Sequence, residues 1–289
     1  MTFLAALFLL TAVTSITCAL PGVFLVLRRQ SMLVDAISHA VLPGIVIGVF
    51  LSGSLHSPVM IIFSTLMGLL VVWVSNRLRA SGLLTGDADQ GVLFPVLFSL
   101  GVLLLSTVFA SVHICTDTVL AGDLNLMALR SEHIIIGNIN FGPKTMWELL
   151  VVFVINALFI GIYYRTLKTS TFDRQHALSI NMPVTAVENM LMVLTTVTII
   201  VAFSVAGSIL VVALVICPAA TALLISHTLP DMIIKTLLIA VVSAVAGCVL
   251  AWQLNLGTSS MMAFTDGVIF LLVMLAKRFY LHCRHLQVP

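Results

Sequence analysis

From Phe3 to Leu27 the sequence runs without one charged residue, then meets Arg28 and Arg29, and runs of this kind recur along the chain. About 20 apolar residues coiled as a helix are as long as the hydrocarbon core of a bilayer is thick. A series of them has no place in a water-soluble fold, which carries about 25% charged residues. Here only 8% of the 289 residues are charged, 61% are hydrophobic and the mean hydropathy is +1.21. In lipid every backbone N–H and C=O must be satisfied within the chain, so runs this long span as helices. The chain therefore reads as an all-α polytopic membrane protein, one transmembrane domain over residues 1–289 with no length left for a separate soluble domain.

Apolar runs fall at 2–27, 33–51, 58–74, 91–111, 145–164, 233–252 and 260–276, with Pro21 and Pro95 as bend or kink positions and Pro43 inside the second run. The window 189–225 is too long for one span and breaks around Gly207. Of the 13 basic residues only Arg130 and Lys144 fall on one side when the runs alternate, so the other side is predicted to be cytoplasmic. Both flanks of 189–225 lie on that basic side, and the window must cross twice or re-enter and return. The prediction is eight or nine transmembrane helices, with the N-terminus outside and the C-terminus cytoplasmic. The first run lacks a basic stretch ahead of it and a cleavage site before Arg28, so it is read as a retained span.

The net charge of +2, with no basic cluster interleaved with aromatics, gives no nucleic-acid surface. The 5 cysteines are scattered with no CxxC, which leaves neither a disulfide framework nor a zinc finger.

Residues 31–48, SMLVDAISHAVLPGIVIG, hold an acid and a base together inside an apolar run. Asp35 and His39 are four residues apart, so a helix stacks them on one face. An ionisable group at the centre of a membrane helix costs roughly 2.5–3.5 kcal/mol on insertion scales, and it normally faces a polar path or a partner. The pair is either a set of metal ligands or two groups bonded to each other. Gly44 and Gly48 in the same run mark a face for close helix packing.

Two polar segments flank later spans. The outer one, about 112–144, contains His113, Cys115, Asp117, Asp123, Glu132 and His133, which either lead a cation inward or are solvated loop charges. The inner one, about 165–188, has Ser170 or Thr171 as an N-cap ahead of a short helix and Asn181 as a left-handed C-cap before Pro183. That helix is either a docking element for a cytoplasmic motor or a connection lying in the interface. Asp266, inside the last span, either faces a path or makes a helix–helix hydrogen bond.

Four stretches, collinear from about 28 to 276, carry a resemblance. RRQSMLVDAISHAVLPG (28–44) resembles the second-helix signature of the permease subunits of ABC-type importers for zinc, manganese and iron. DTVLAGDL (117–124) resembles their outer-segment motif, above all in the manganese/iron branch. STFDRQHALSINMPV (170–184) is similar to their cytoplasmic coupling segment, and GSILVVALVICPAATALLI (207–225) to their late-helix signature.

The resemblance implies a type II ABC importer permease fold, with Asp35 and His39 as metal ligands of the translocation path. His113, Asp117, Asp123 and Asp266 are possible path or entry residues. Phe172, Asp173 and Ala177 match the coupling pattern FDxxxAxxxG, and Asn181 stands where the final Gly would be; Ala121 replaces a residue that is often larger. The implied partners are cytoplasmic ATPase subunits, an extracytoplasmic metal-binding protein and a second permease protomer, in a bacterial inner membrane. The implied cargo is manganese, iron(II) or zinc, with no permanently bound cofactor.

No G-x-x-x-x-G-K-[ST] loop occurs, so ATP hydrolysis is expected from a separate subunit and the chain itself is not an enzyme. A proton-coupled secondary transporter is the alternative, with Asp35 and His39 as a proton relay. It predicts an inverted repeat, which the two halves do not display. An intramembrane metalloprotease would need HExxH, and that motif is absent.

Overall fold

The computed structural model describes residues 3–52, 58–82, 88–107, 122, 124–130, 133–136 and 139–285. The helices are α1 (Phe3–Leu27), α2 (Met32–Ser52), α3 (Pro58–Ala80), α4 (Ala88–Thr107) and a short α5 (Leu124–Arg130). After a hairpin of β1 (His133–Ile136) and β2 (Ile139–Pro143) come α6 (Lys144–Ile162), α7 (Tyr164–Phe172), α8 (Arg174–Ser179) and α9 (Val184–Ala206). The chain closes with α10 (Ser208–Ile225), α11 (Leu229–Leu254) and α12 (Thr258–His285). Among the described residues 9 helices are long and apolar enough to cross a membrane. The hairpin, antiparallel with Ile136 opposite Ile139, is the departure from an all-helical reading; three successive isoleucines favour extended backbone there.

The window 189–225 is two helices. Gly207 breaks it with φ 79° and ψ 167°, a region open to glycine almost alone. The first of the two begins earlier than the apolar run, at Val184 directly after Pro183, so Glu188 lies inside α9 and not in the polar segment before it.

The described contacts fall into two compact units, each discontinuous in sequence. One comprises 27–122 and 158–212 and is built around α2. Helix α2 lies against α3, α4 and α9, and the Gly44/Gly48 face meets α3 of the same chain. A Cβ on Gly44 would come within 2.8 Å of Ser64 Cα, and one on Gly48 within 2.6 Å of Met60 Cα. Gly68 of α3 leaves room for Thr196 and Ile200 of α9 and Ile37 of α2, so three helices meet at one missing side chain. At the other end of α9, Gly122 (φ +57°) packs its backbone against Ala206 and Gly207. Gly122 of the outer motif thus rests on the α9–α10 break.

The second unit comprises 1–26, 123–157 and 213–289. Gly22 of α1 abuts the Val215 carbonyl of α10, Gly247 of α11 abuts Met262 of α12, and Ser15 donates to the Ala240 carbonyl at 2.8 Å. The Thr258 hydroxyl of α12 meets the side-chain oxygen of Asn125 on α5 at 2.9 Å.

Placing a leucine at Gly48 must push Met60 backbone aside, at about 1–3 kcal/mol for overpacking. We expect Gly48→Leu to lower the thermal midpoint of the detergent-solubilised protein by several degrees. Gly161→Leu, where nothing lies within 4 Å, is expected to leave it unchanged.

Candidate functional site

Helix α2 starts at Met32, so Asp35 lies in its first turn and His39 one turn deeper. A carboxylate in that first turn is favoured by the unpaired N–H groups and the macrodipole, by about 0.3–1 kcal/mol. His39 Nε2 stands 3.4 Å from Asp35 Oδ1, with side chains 24% and 38% exposed respectively. That separation is long for a hydrogen bond between the two. It suits two donors to one ion: atoms each about 2.1 Å from a metal and set at a tetrahedral angle lie about 3.4 Å apart.

Two aromatic residues of α4 hold the imidazole. The Phe94 ring centroid is 4.7 Å from it at 52°, and Phe98 meets it edge-on at 5.8 Å and 89°. Its Nδ1 is buried with no hydrogen-bond partner. These rings pack against the imidazole, and the Asp35 carboxylate beside it is the more exposed of the pair. Among the described residues no third His, Cys, Asp or Glu joins the pair. One copy of the described chain therefore offers a cation two protein ligands of mixed O and N character.

Asp266 belongs to the other compact unit. It lies 2% exposed on α12 among Ser243, Cys18 and Cys217 of its own compact unit. The Ser243 hydroxyl donates to the Ala240 carbonyl at 3.2 Å and lies beside the Asp266 carboxylate. His113, Asp117 and Asp123 lie outside the described residues.

The inner segment is two short helices and not one. Ser170 and Thr171 close α7, and the N-cap of α8 is Asp173, whose Oδ1 accepts from the His176 N–H at 2.8 Å. The expected cap at Ser170 or Thr171 is thereby corrected: those hydroxyls are engaged elsewhere, and a carboxylate is at least as good a cap. The end of α8 is as expected. Asn181 takes φ 54°, with Asn181 N–H donating to Leu178 O and Met182 N–H to Ala177 O, both at 3.1 Å. This is a Schellman closure with Asn in the place usually held by Gly. Ala177 is fully buried against this turn and Phe172 is 64% exposed, an apolar ring presented to the outside.

Sequence reasoning missed what Ser170 and Thr171 hold. Arg28, in the turn between α1 and α2, donates from Nη2 to Ser170 Oγ (2.9 Å) and from Nε to Thr171 Oγ1 (3.2 Å), and its Nη1 lies 3.3 Å from Glu188 Oε1. The Arg28 and Glu188 side chains are 10% and 19% exposed. Arg174, at the start of α8, reaches the other oxygen of the same carboxylate at 3.4 Å. Burial lowers the Arg28 pKa from its ordinary value; Glu188 opposes that shift and Arg174 adds to it. The signal available in sequence was Glu188 itself, one acid at the mouth of an apolar run on the basic side.

Residues 1–277 match the ABC 3 transport family. The manganese transport system membrane protein MntD of Bacillus subtilis is 36% identical over 270 residues, covering 93% of this chain and 90% of that protein. The zinc transport system membrane protein TroD of Treponema pallidum is 37% identical over 267 residues, covering 92% of this chain and 72% of that one. Among solved structures, PsaBC from Streptococcus pneumoniae in complex with Fab is similar with a TM-score of 0.75 and 27% identity, covering 94% of this chain and 91% of that one.

Removing the Asp173 cap is expected to cost about 0.5–2 kcal/mol of local stability, and placing alanine in the left-handed position of Asn181 about 1 kcal/mol. In hydrogen exchange of the purified protein, Asp173→Ala and Asn181→Ala should speed exchange at amides 176–182. Asn181→Gly should not.

Proposed function

The chain belongs to the ABC 3 transport family, and from that premise we propose that it is the permease subunit of an ATP-driven importer of a divalent transition metal ion. The observation that carries the reading is the placement of Asp35 and His39. Their donor atoms are 3.4 Å apart on α2, a helix enclosed by α3, α4 and α9. Both the manganese and the zinc transport protein named above are similar over almost the whole chain. The mixed O/N pair accepts manganese, iron(II) or zinc.

The ion moves by alternating access. Released from an extracytoplasmic binding protein, it is held by the Asp35 carboxylate and the His39 imidazole. A second permease protomer supplies a like pair, bringing the protein ligands from two to the number a divalent ion of this kind takes. ATP is hydrolysed by separate cytoplasmic subunits that meet the inner segment around Phe172, Asp173, Ala177 and Asn181. The membrane is the bacterial inner membrane. The start of α1 lies outside and the end of α12 in the cytoplasm.

What supports this orientation, beside the charge asymmetry, is which segments touch. Arg28 bonds to Ser170 and Thr171, all assigned to the inner side. Gly122 lies on Gly207, and Asn125 on Thr258, all assigned to the outer side.

The test is uptake of radioactive manganese, iron(II) and zinc into vesicles holding this chain, its ATPase and its binding protein. Accumulation of one metal is expected, and Asp35→Ala and His39→Ala are each expected to lower it at least tenfold while the complex still assembles. Uptake that persists in both variants would make the pair structural.

A further inference from the structure

The basic pair Arg28-Arg29 marks the end of a membrane span, a role that any two cations fill from the surface. Arg28 does not sit on the surface. It is one of the most enclosed cations described, and all three of its guanidinium nitrogens are engaged, with Ser170, Thr171 and Glu188. Those residues belong to α7 and α9, the helices on either side of the coupling helix α8. Arg28 itself belongs to the turn that leads into α2, where Asp35 stands.

We propose that Arg28 is a positioning residue of the transport cycle: its guanidinium fork fastens the α7–α9 coupling segment to the turn ahead of α2. Movement imposed on the segment by the ATPase is thereby delivered to the Asp35/His39 pair. This rests on the importer reading of the preceding subsection.

Three features of the contact favour transmission over simple anchoring. First, a planar fork that binds two hydroxyls and a carboxylate at once fixes orientation as well as distance, which an ammonium cannot do. Second, a charge left only 10% exposed parts from its partners at a cost, so the turn and the segment are held to move together. Third, Glu188 divides its two oxygens between Arg28 inside and Arg174 at the rim, where Arg174 is 56% exposed. Arg174 opens α8, so a rotation of the coupling helix pulls on the same carboxylate that holds Arg28. Beside the network lies a polar cavity of about 490 Å³ lined by Arg28, Arg29, Arg174, Glu188 and Asn189, which gives these side chains room to shift.

The experiment reads manganese(II) taken up per ATP hydrolysed by the complete reconstituted complex. A bond that only stabilises the fold changes how much complex assembles and leaves this ratio alone. Arg28→Lys keeps the charge beside Glu188 but loses the fork, and Ser170→Ala/Thr171→Val removes two acceptors without touching a charge. Both leave the Arg28–Glu188 charge pairing in place. We expect the ratio to fall at least threefold in each. In Arg28→Gln/Glu188→Gln, which removes both charges of the pair together, we expect a fall of at least tenfold. Ratios within 1.5-fold of wild type in Arg28→Lys and in the hydroxyl variant overturn the proposal, whatever happens to yield. A wild-type complex that accumulates no manganese, iron(II) or zinc overturns the importer reading and this proposal with it. Wild-type uptake with undiminished ratios in the variants overturns this proposal alone.

Discussion

A bilayer interior offers no water to a polar atom, and nearly every local choice in this protein follows from that. The backbone answers by closing into helices. Several buried hydroxyls answer by turning back on their own helix: Thr14 to Leu10, Ser38 to Val34, and Thr195 and Thr196 to Leu191 and Met192, all at 2.7–2.8 Å. These groups satisfy themselves locally and make no demand on neighbouring helices. The contacts between helices can then be made by close approach, at Gly22, Gly44, Gly48, Gly68 and Gly247, where the absence of a side chain lets a neighbour come in. Asp266 stands apart from this pattern, a carboxyl 2% exposed within a membrane-length helix, with Ser243 beside it.

The same constraint explains where the chemistry sits. Charges gather at the ends of spans, where water returns. Asp35 occupies the first turn of α2, a place that an anion favours anyway, and His39 lies one turn further into the apolar region, its ring closed in by Phe94 and Phe98. The helix carrying them is packed on three sides by helices of its own unit. A pair of ligands on a regular, enclosed helix keeps its geometry, since a change in the spacing of Asp35 and His39 would have to unwind a turn that its neighbours hold.

Much of this was legible in the sequence. Charge content and apolar length gave the helices, the break at Gly207 and the i, i+4 stacking of Asp35 and His39, because each depends on one segment alone. Asn181 was legible for the same reason: its left-handed turn is a local property of the residue before Met182-Pro183. What stayed hidden depends on two distant segments meeting. Arg28 and Ser170 are 142 positions apart, and nothing near either says that one binds the other. The N-cap of α8 was misassigned in consequence, since Ser170 and Thr171 look like free caps until Arg28 occupies them and Asp173 takes their place. The hairpin was missed because His133 to Ile136 is too short to stand out beside the long apolar runs.

The break at Gly207 has a consequence for the lipid. It leaves α10 with 18 residues, about 27 Å of helix, beside an α9 of 23 residues and an α11 of 26. Hydrocarbon thickness averages about 30 Å and varies by a few ångströms among membranes. A long helix meets a thin bilayer by tilting, but a short one has no such recourse: the bilayer must pinch around it or its ends must sink. In thick bilayers the strain of hydrophobic mismatch therefore falls on α10, as on the similarly short α6 of 19 residues, and acyl-chain length becomes a variable to which the late-helix signature is mechanically exposed.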